Sequence, residues 1–397
     1  MNTTLCDNVE WVGYVDWHIR DFHGYSTNRG STYNSYLVRD RKTALIDTVK
    51  APYVPRLLAN IQQHTDLGKV DYLVCNHAEP DHASGLSAVV KACPSAKVVC
   101  TEKCRKALAG YHDISAWDFE IVKSGDTLSL GERSLVFLET PMVHWPESMM
   151  TYLPEEKLLF SQDAFGQHYA SAGRFDDEEP CDVVMYEAKV YYANIIMWAG
   201  KPIAKALEAA SAMEIGMIAP AHGIIWRKCP ERIIEAYQGW IVCKAQPKVL
   251  VVYDTMWHST ERMAEAILDG ASKPGVHARL YSVRKNHITL LATEVLDAAA
   301  IAFGSPTLNG TLMPEVAAGL TYLKGLRPTC KSGFAFGSYG WAPGGAKAVN
   351  EYLQEMKFEL LREPLEAQWT PTPDILEECR KAGELLAEKA LESACAV

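Results

Sequence analysis

None of the eleven cysteines forms a C-x-x-C pair. A rubredoxin-type iron site needs two such pairs, so a redox role for this chain would require its one-electron donor to be another molecule. Cys100 and Cys104 come closest, but Cys100 ends a strand-like run and Cys104 lies in the helix expected after it. The odd cysteine count, in a chain without a secretion signal, excludes a disulfide framework and predicts buried free thiols. No N-terminal stretch has the charged-then-apolar pattern of a leader, and no uninterrupted apolar run approaches ~20 residues. A cytoplasmic location is expected. Basic residues are the minority: 39 Lys and Arg against 49 Asp and Glu leave a net charge of −10. That balance argues against nucleic acid or an anionic membrane surface as partner.

What is there begins with a core. Hydrophobic residues make up 48% and charged residues 22% of the 397, a composition that folds, at a length that exceeds one ordinary domain. The densest chemistry lies in His77-Ala78-Glu79-Pro80-Asp81-His82, where four of six side chains can bind a metal. Before it, Val70 to Cys75 reads as a buried strand, and after it Ala83 to Val90 begins a helical pattern. Ligand types therefore sit at the carboxyl end of a strand, where layered α/β folds place their sites.

That arrangement recurs. Residues 1 to about 50 alternate apolar and polar positions and read as antiparallel strands. Asp16-Trp17 and Phe22-His23-Gly24-Tyr25 interrupt them as loops that either pack or cover a pocket. The strand Ser134 to Thr140 stops at Pro141, and His144 follows. Lys157 to Ser161 leads to Asp163, and Glu214 to Pro220 leads to His222. His144 or His222 alone could be a core or surface histidine, and Asp163 alone a turn residue or helix cap. In the order His-x-Glu-x-Asp-His, His, Asp, His they match a two-metal site made from strand ends. Met185 to Ala210 reads as one helical stretch. His168 either orients a species between the metals, or gives it a proton, or makes an ordinary hydrogen bond.

Near Ala245 the pattern changes. Lys248 to Tyr253 is a continuous apolar strand of the parallel-sheet type. The loop Asp254-Thr255-Met256-Trp257-His258-Ser259-Thr260 follows and enters a helix. Hydroxyls, backbone N–H groups and the helix dipole there form an anion cradle, and the absence of a Walker lysine excludes a nucleoside triphosphate. Strands at His277 to Val283, Ala298 to Phe303, Ser332 to Phe336 and Phe358 to Leu365 complete five, before a helix from about Asp374 to Glu392. Two of them end in Ser305-Pro306-Thr307-Leu308-Asn309-Gly310 and Ser338-Tyr339-Gly340-Trp341. The first loop resembles the flavodoxin phosphate loop, and the other two would grip the flavin ring and its edge. Trp257 and Trp341 either stack on that ring or pack at the surface.

The motif H-x-E-x-D-H resembles the metal signature of flavodiiron proteins, a branch of the metallo-β-lactamase superfamily, and the likeness runs through essentially the whole chain. Hydrolytic members carry His where Glu79 stands, and the harder carboxylate shifts preference from zinc toward iron. The resemblance implies an α/β chain: a metallo-β-lactamase-like αββα sandwich over 1–247, then a flavodoxin-like doubly wound parallel five-stranded domain over 248–397. It implies two non-haem irons. His77, Glu79 and His144 would hold one, and Asp81, His82 and His222 the other, with Asp163 as the bridge. For His82 to take part, adjacent Asp81 and His82 must turn toward one ion. His168 and Tyr25 are the candidate catalytic side chains beside the metals. FMN would bind at the three loops.

The implied activity is reduction of dioxygen to water, nitric oxide to nitrous oxide, or both. The implied assembly is a head-to-tail homodimer, fed by rubredoxin, another external donor or a reduced deazaflavin coenzyme. The competing expectation is a zinc hydrolase whose flavodoxin-like domain binds a nucleotide or regulates; a third is an electron-transfer module with a structural metal.

Overall fold

The computed structural model describes residues 3–242 and 244–395, which form two units, Met1–Tyr237 and Gln238–Val397. In the first unit seven strands make one sheet, in the order Thr4–Cys6, Val9–Trp11, Tyr36–Arg39, Thr43–Ile46, Val70–Val74, Lys97–Cys100 and Phe119–Ile121. The first four pair antiparallel, as their alternating pattern predicts, and the last three continue in parallel. A second sheet orders Thr127–Ser129, Ser134–Glu139, Met149–Leu153, Leu158–Gln162 and Met217–Pro220.

The two-residue period of the strands separates two cores. Leu37, Leu45, Leu73 and Val98 face the helices, where they meet Leu57, Ile61, Val89 and Leu108. Their neighbours Val38, Ala44, Tyr72, Val74 and Val99 face the second sheet, where they meet Phe137, Met149, Leu153 and Phe160. Beyond that sheet, Ile203, Leu207 and Ala210 of the helix Gly200–Ala210 lie beside Met150 and Tyr237. The result is the expected αββα sandwich, and its strand ends carry the motif residues.

The second unit is a parallel sheet ordered His277–Ser282, Gln246–Tyr253, Ala298–Gly304, Ser332–Tyr339, with chain reversal at the first strand, as in doubly wound folds. Helices Ser259–Ala271 and Pro373–Cys395 cover one face. They approach so closely that a Cβ on Gly383 would lie 2.0 Å from the Ile267 carbonyl oxygen.

Three expectations are corrected. The fifth strand of this sheet is two pieces, Glu359–Leu360 and Leu365–Gln368, both parallel to Ser332–Tyr339; Pro364, which has no N–H to donate, lies between them. The stretch read as one helix from Met185 is Cys181–Tyr191, a π turn Tyr192–Ile196, a 3₁₀ turn Met197–Ala199 and then Gly200–Ala210. Cys75, Cys93, Cys100, Cys104 and Cys379 are buried thiols as expected, but Cys330 and Cys395 are exposed. Cys243 lies outside the described residues. Among the described residues no helix is long and apolar enough to cross a membrane.

Candidate metal and flavin sites

Each of the seven candidate ligands is delivered by the end of a strand or the turn after it. His77 stands three residues past the strand Val70–Val74, and Pro80 starts a single helical turn, Pro80–Ala83, that carries Asp81 and His82. The Thr48 hydroxyl donates to the His82 carbonyl and holds that turn to the loop after Thr43–Ile46. Buried Asp47 fixes the preceding step, accepting from the Asn76 backbone N–H at 2.8 Å and its amide nitrogen at 2.9 Å. Asp163 follows Leu158–Gln162 and His222 follows Met217–Pro220. Gly223 comes next with φ +81°, and a Cβ there would strike the Gln167 carbonyl.

The ligand atoms fall into two groups, His77 with Glu79, His144 and Asp163, and Asp81 with His82 and His222. Asp163 touches both. Its Oδ2 lies 3.4 Å from His77 Nε2 and 3.2 Å from His144 Nε2, while its Oδ1 lies 3.1 Å from His82 Nε2 and 3.6 Å from His222 Nε2. Glu79 Oε2 is 3.2 Å from His77 Nε2 and 3.1 Å from His144 Nε2. Asp81 Oδ2 is 3.2 Å from His82 Nε2 and 3.0 Å from His222 Nε2. The helical turn thus aims adjacent Asp81 and His82 at the same point.

Every cluster residue except Glu79 and His144 is almost fully buried. Asp81 Oδ1, His82 Nε2 and Asp163 Oδ2 have no hydrogen-bond partner of acceptable geometry. Buried polar atoms are ordinarily paired; here His82 Nε2 and Asp163 Oδ2 face the cluster without such pairing, in an all-nitrogen-and-carboxylate set. Such a donor set fits two cations of intermediate hardness.

In the absence of cations the groups charge one another. Burial alone would raise the Glu79 carboxyl, but bonds from His144 and His77 bring it down to about 2. Burial opposes a charged His82, yet Asp81 and Asp163 push it up to about 9. His77 and His144 are raised against the same opposition.

Two functional side chains escaped the sequence reading. Glu147 Oε1 is 2.8 Å from His77 Nδ1 and also accepts from the Ala78 N–H at 3.2 Å, so it orients the ring that faces the cluster. Tyr191, one of four aromatics of a helical stretch that sequence alone assigns to core and dimer contacts, is buried, and its hydroxyl donates to Asp163 Oδ1 at 2.8 Å. A carboxylate three residues after His144, beyond Trp145-Pro146, was the only signal for Glu147.

Of the candidate catalytic residues, buried His168 packs 5.1 Å from the His222 ring and 4.9 Å from Tyr191. Its Nδ1 pairs with the Ser31 hydroxyl at 2.9 Å, and its buried Nε2 has no partner. Tyr25 is half-buried, its hydroxyl raised by burial and then by the Glu79 charge. Half-exposed His23 has Nδ1 3.3 Å from Glu79 Oε1. The open side of the cluster is therefore the Glu79 side.

In the second unit a cavity of about 750 Å³ is bordered by all three predicted loops. Met256, Trp257 and Ser259, the run from Pro306 through Gly310, and the run from Ser338 through Trp341 line it, joined by Ala342, Trp369 and Thr370. Trp257 and Trp341 are 87% and 89% exposed; Trp341 is tilted against Trp369, with ring centres 6.5 Å apart, and both rings remain open to a planar ligand.

Four predicted contacts are not on the wall. Thr260 is buried with its hydroxyl 2.8 Å from Ser338 Oγ. Ser305 is buried, donating to the Pro306 carbonyl and accepting from the Met313 N–H. Exposed His258 pairs with Glu261 at 2.6 Å. Thr255 Oγ1 is buried with no partner, beside Asp254, whose Oδ1 accepts from Arg284 at 2.6 Å. An unpaired hydroxyl at the mouth of a helix N-terminus fits a phosphate acceptor.

The chain is similar to known proteins along its length. The family model of the ODP family beta lactamase matches residues 32–223, and that of flavodoxin matches 251–383. The chain is 46% identical over 390 residues to a nitric oxide reductase of Moorella thermoacetica, covering 97% of this chain and 98% of that one. It superimposes with a TM-score of 0.95 on the flavodiiron protein of Giardia intestinalis, at 39% identity over 99% of this chain and 98% of that one. The rubredoxin oxygen:oxidoreductase of the anaerobe Desulfovibrio gigas gives the same TM-score at 38% identity, with both chains fully covered. With both family models in order and such relatives matched along its length, the chain belongs to the flavodiiron protein family of oxidoreductases.

Proposed function

We propose that this chain reduces dioxygen to water, nitric oxide to nitrous oxide, or both, using two non-haem irons in the first unit and FMN in the second. The observation that carries the reading is Asp163, whose two oxygens face separate ligand groups. Two ferrous ions and one reduced flavin would together supply four electrons, the number that dioxygen requires.

The protein's own groups then have separable tasks. His77, Glu79 and His144 hold one ion and Asp81, His82 and His222 the other. Tyr191 donates to Asp163 Oδ1 and so limits how strongly that oxygen binds. Glu147 keeps His77 in one ring orientation. The nearly complete burial of the Asp81, His82 and His222 side excludes water there, leaving the Glu79 face for a diatomic substrate. Tyr25 borders that space beside Glu79, and buried His168 stands behind it against His222 and Tyr191, each as a proton donor or orienting group.

The loops after Tyr253 and Gly304 and the strand end and loop from Ser338 through Trp341 would hold FMN, with Trp257 and Trp341 available to its ring. Rubredoxin or another external donor would reduce the flavin. The working form is a cytoplasmic head-to-tail homodimer in which the FMN of one chain serves the irons of the other.

Metal analysis of the purified protein and of Asp163→Ala tests the site. About two irons per chain, with both depleted in the variant, is the expected result. Two zinc ions, no iron and thioester hydrolysis would overturn it in favour of a hydrolase.

A further inference from the structure

A ladder of three phenols runs outward from His222. Tyr33 is fully buried, and its ring centre lies 5.8 Å from the His222 imidazole. Tyr53 stacks 5.4 Å from Tyr33 at an interplanar angle of 25°, and Tyr14 stacks 3.9 Å from Tyr53 at 12°. The local fold dictates this order. Antiparallel pairing of Tyr14–Asp16 with Ser31–Tyr33 sets Tyr14 directly opposite Tyr33, so both rings rise on one face. Tyr53 ends the 3₁₀ turn Ala51–Tyr53 and packs on both rings.

The middle phenol also has a proton acceptor. The Tyr53 hydroxyl donates to Asp16 Oδ2 at 2.7 Å, and Asp16 Oδ1 is fixed by the His18 and Ile19 N–H groups, each at 3.1 Å. The outer end opens on a surface cavity of about 410 Å³ lined by Tyr14 and half-exposed Trp17. Phenols and indoles are the side chains most readily oxidised by one electron, and a phenol yields its electron readily only when its proton has somewhere to go. Phe22 also packs against His222, at 5.6 Å, but lacks that chemistry.

We propose that Tyr53 and Tyr14 carry oxidising equivalents from the metal-holding cluster to the surface when an oxidant arrives in excess of flavin electrons; the Tyr33 ring bridges them to His222, its own buried hydroxyl having no hydrogen-bond partner to take a proton. The oxidant class is a peroxide. Hydrogen peroxide takes up two electrons and two protons and becomes two waters. Two phenols each lose one electron and one proton and become phenoxyl radicals; the proton of Tyr53 passes to Asp16 and that of Tyr14 to solvent. Electron transfer along the stack moves the radicals outward to Tyr14 and Trp17, where small reductants in solution can quench them. The ladder thereby spares the buried histidines. The inference rests on the reading that the cluster holds iron.

The test mixes iron-loaded holoprotein with hydrogen peroxide, freezes it rapidly, and records electron paramagnetic resonance with ordinary and ring-deuterated tyrosine. Peptide mass spectrometry then maps added oxygen. The wild type is expected to give a tyrosyl signal narrowed by deuteration, with oxidation at Tyr14 and Trp17. Tyr53→Phe and Tyr14→Phe keep the stacked rings and should lose surface oxidation, with damage moving to His222 and Tyr33. Tyr111→Phe, an exposed tyrosine outside the ladder, should match the wild type.

Iron-loaded wild type without a tyrosyl signal overturns the ladder, as does an unchanged oxidation map in Tyr53→Phe with full iron. Protein that holds no iron overturns the site reading, and the ladder with it.

Discussion

Glu147 Oε1 stands 2.8 Å from Nδ1 of His77, while Nε2 of the same ring points at Glu79 and Asp163. A carboxylate on the far nitrogen fixes the ring and raises the basicity of the near one. Glu147→Gln keeps the size and loses the charge. It is expected to weaken the ion held by His77 about 10- to 100-fold, measured by competition with a chelator, and to leave the Asp81 group's ion in place. Equal loss of both ions would show that Glu147 acts on the whole fold instead.

The metal-free protein should have a distinctive pH dependence. Burial opposes charge on all these groups, and ion pairing overrides it, raising His82 to about 9 and lowering Glu79 to about 2. The histidine contribution is complete below the ordinary 6.5 and is lost as pH rises through about 9. The carboxylate contribution is complete above the ordinary 4.5 and is lost as pH falls through about 2. Melting temperature should therefore peak between about pH 4.5 and 6.5 and fall toward pH 10. Because bound cations displace the imidazole protons, metal affinity should rise over the same alkaline range. A melting temperature that climbs from pH 7 to 10 in metal-free protein would contradict this assignment.

Thr260 is wholly buried, with its hydroxyl on Ser338 rather than on the cavity wall. Thr260→Asp would put negative charge beneath the phosphate loop, so the protein should purify without flavin. Mixed with Asp163→Ala under subunit exchange, it should regain activity toward half the wild-type rate per heterodimer. That outcome requires one chain's flavin to serve the other's irons. Full flavin in Thr260→Asp would show the loop to be misassigned, and exchange without recovery would place electron transfer within one chain.

The strand ends were legible because each leaves a local mark: an apolar run, a stop such as Pro141, then a His or Asp. The division of ligands between two ions came from the resemblance to flavodiiron proteins, and the structure brings the same groups together. Tyr191 was illegible because its role depends on how the helix Cys181–Tyr191 lands on the cluster, which no local period records. Glu147 sits in a turn, where an acidic residue ordinarily means solvent. The strand Met149–Leu153 has every residue buried and no alternation to announce it. Trp369 joined the cavity through the split fifth strand, and the sequence had placed that strand's end near Leu365.

Single-turnover gas consumption tests the central claim most directly. Holoprotein with its metals and flavin fully reduced, and no donor present, is mixed with dioxygen or nitric oxide under otherwise anaerobic conditions. The four stored electrons should consume about one dioxygen per chain without releasing peroxide, or convert nitric oxide to nitrous oxide, as flavin and metals reoxidise together. Metal- and flavin-replete protein that consumes neither gas would contradict the account.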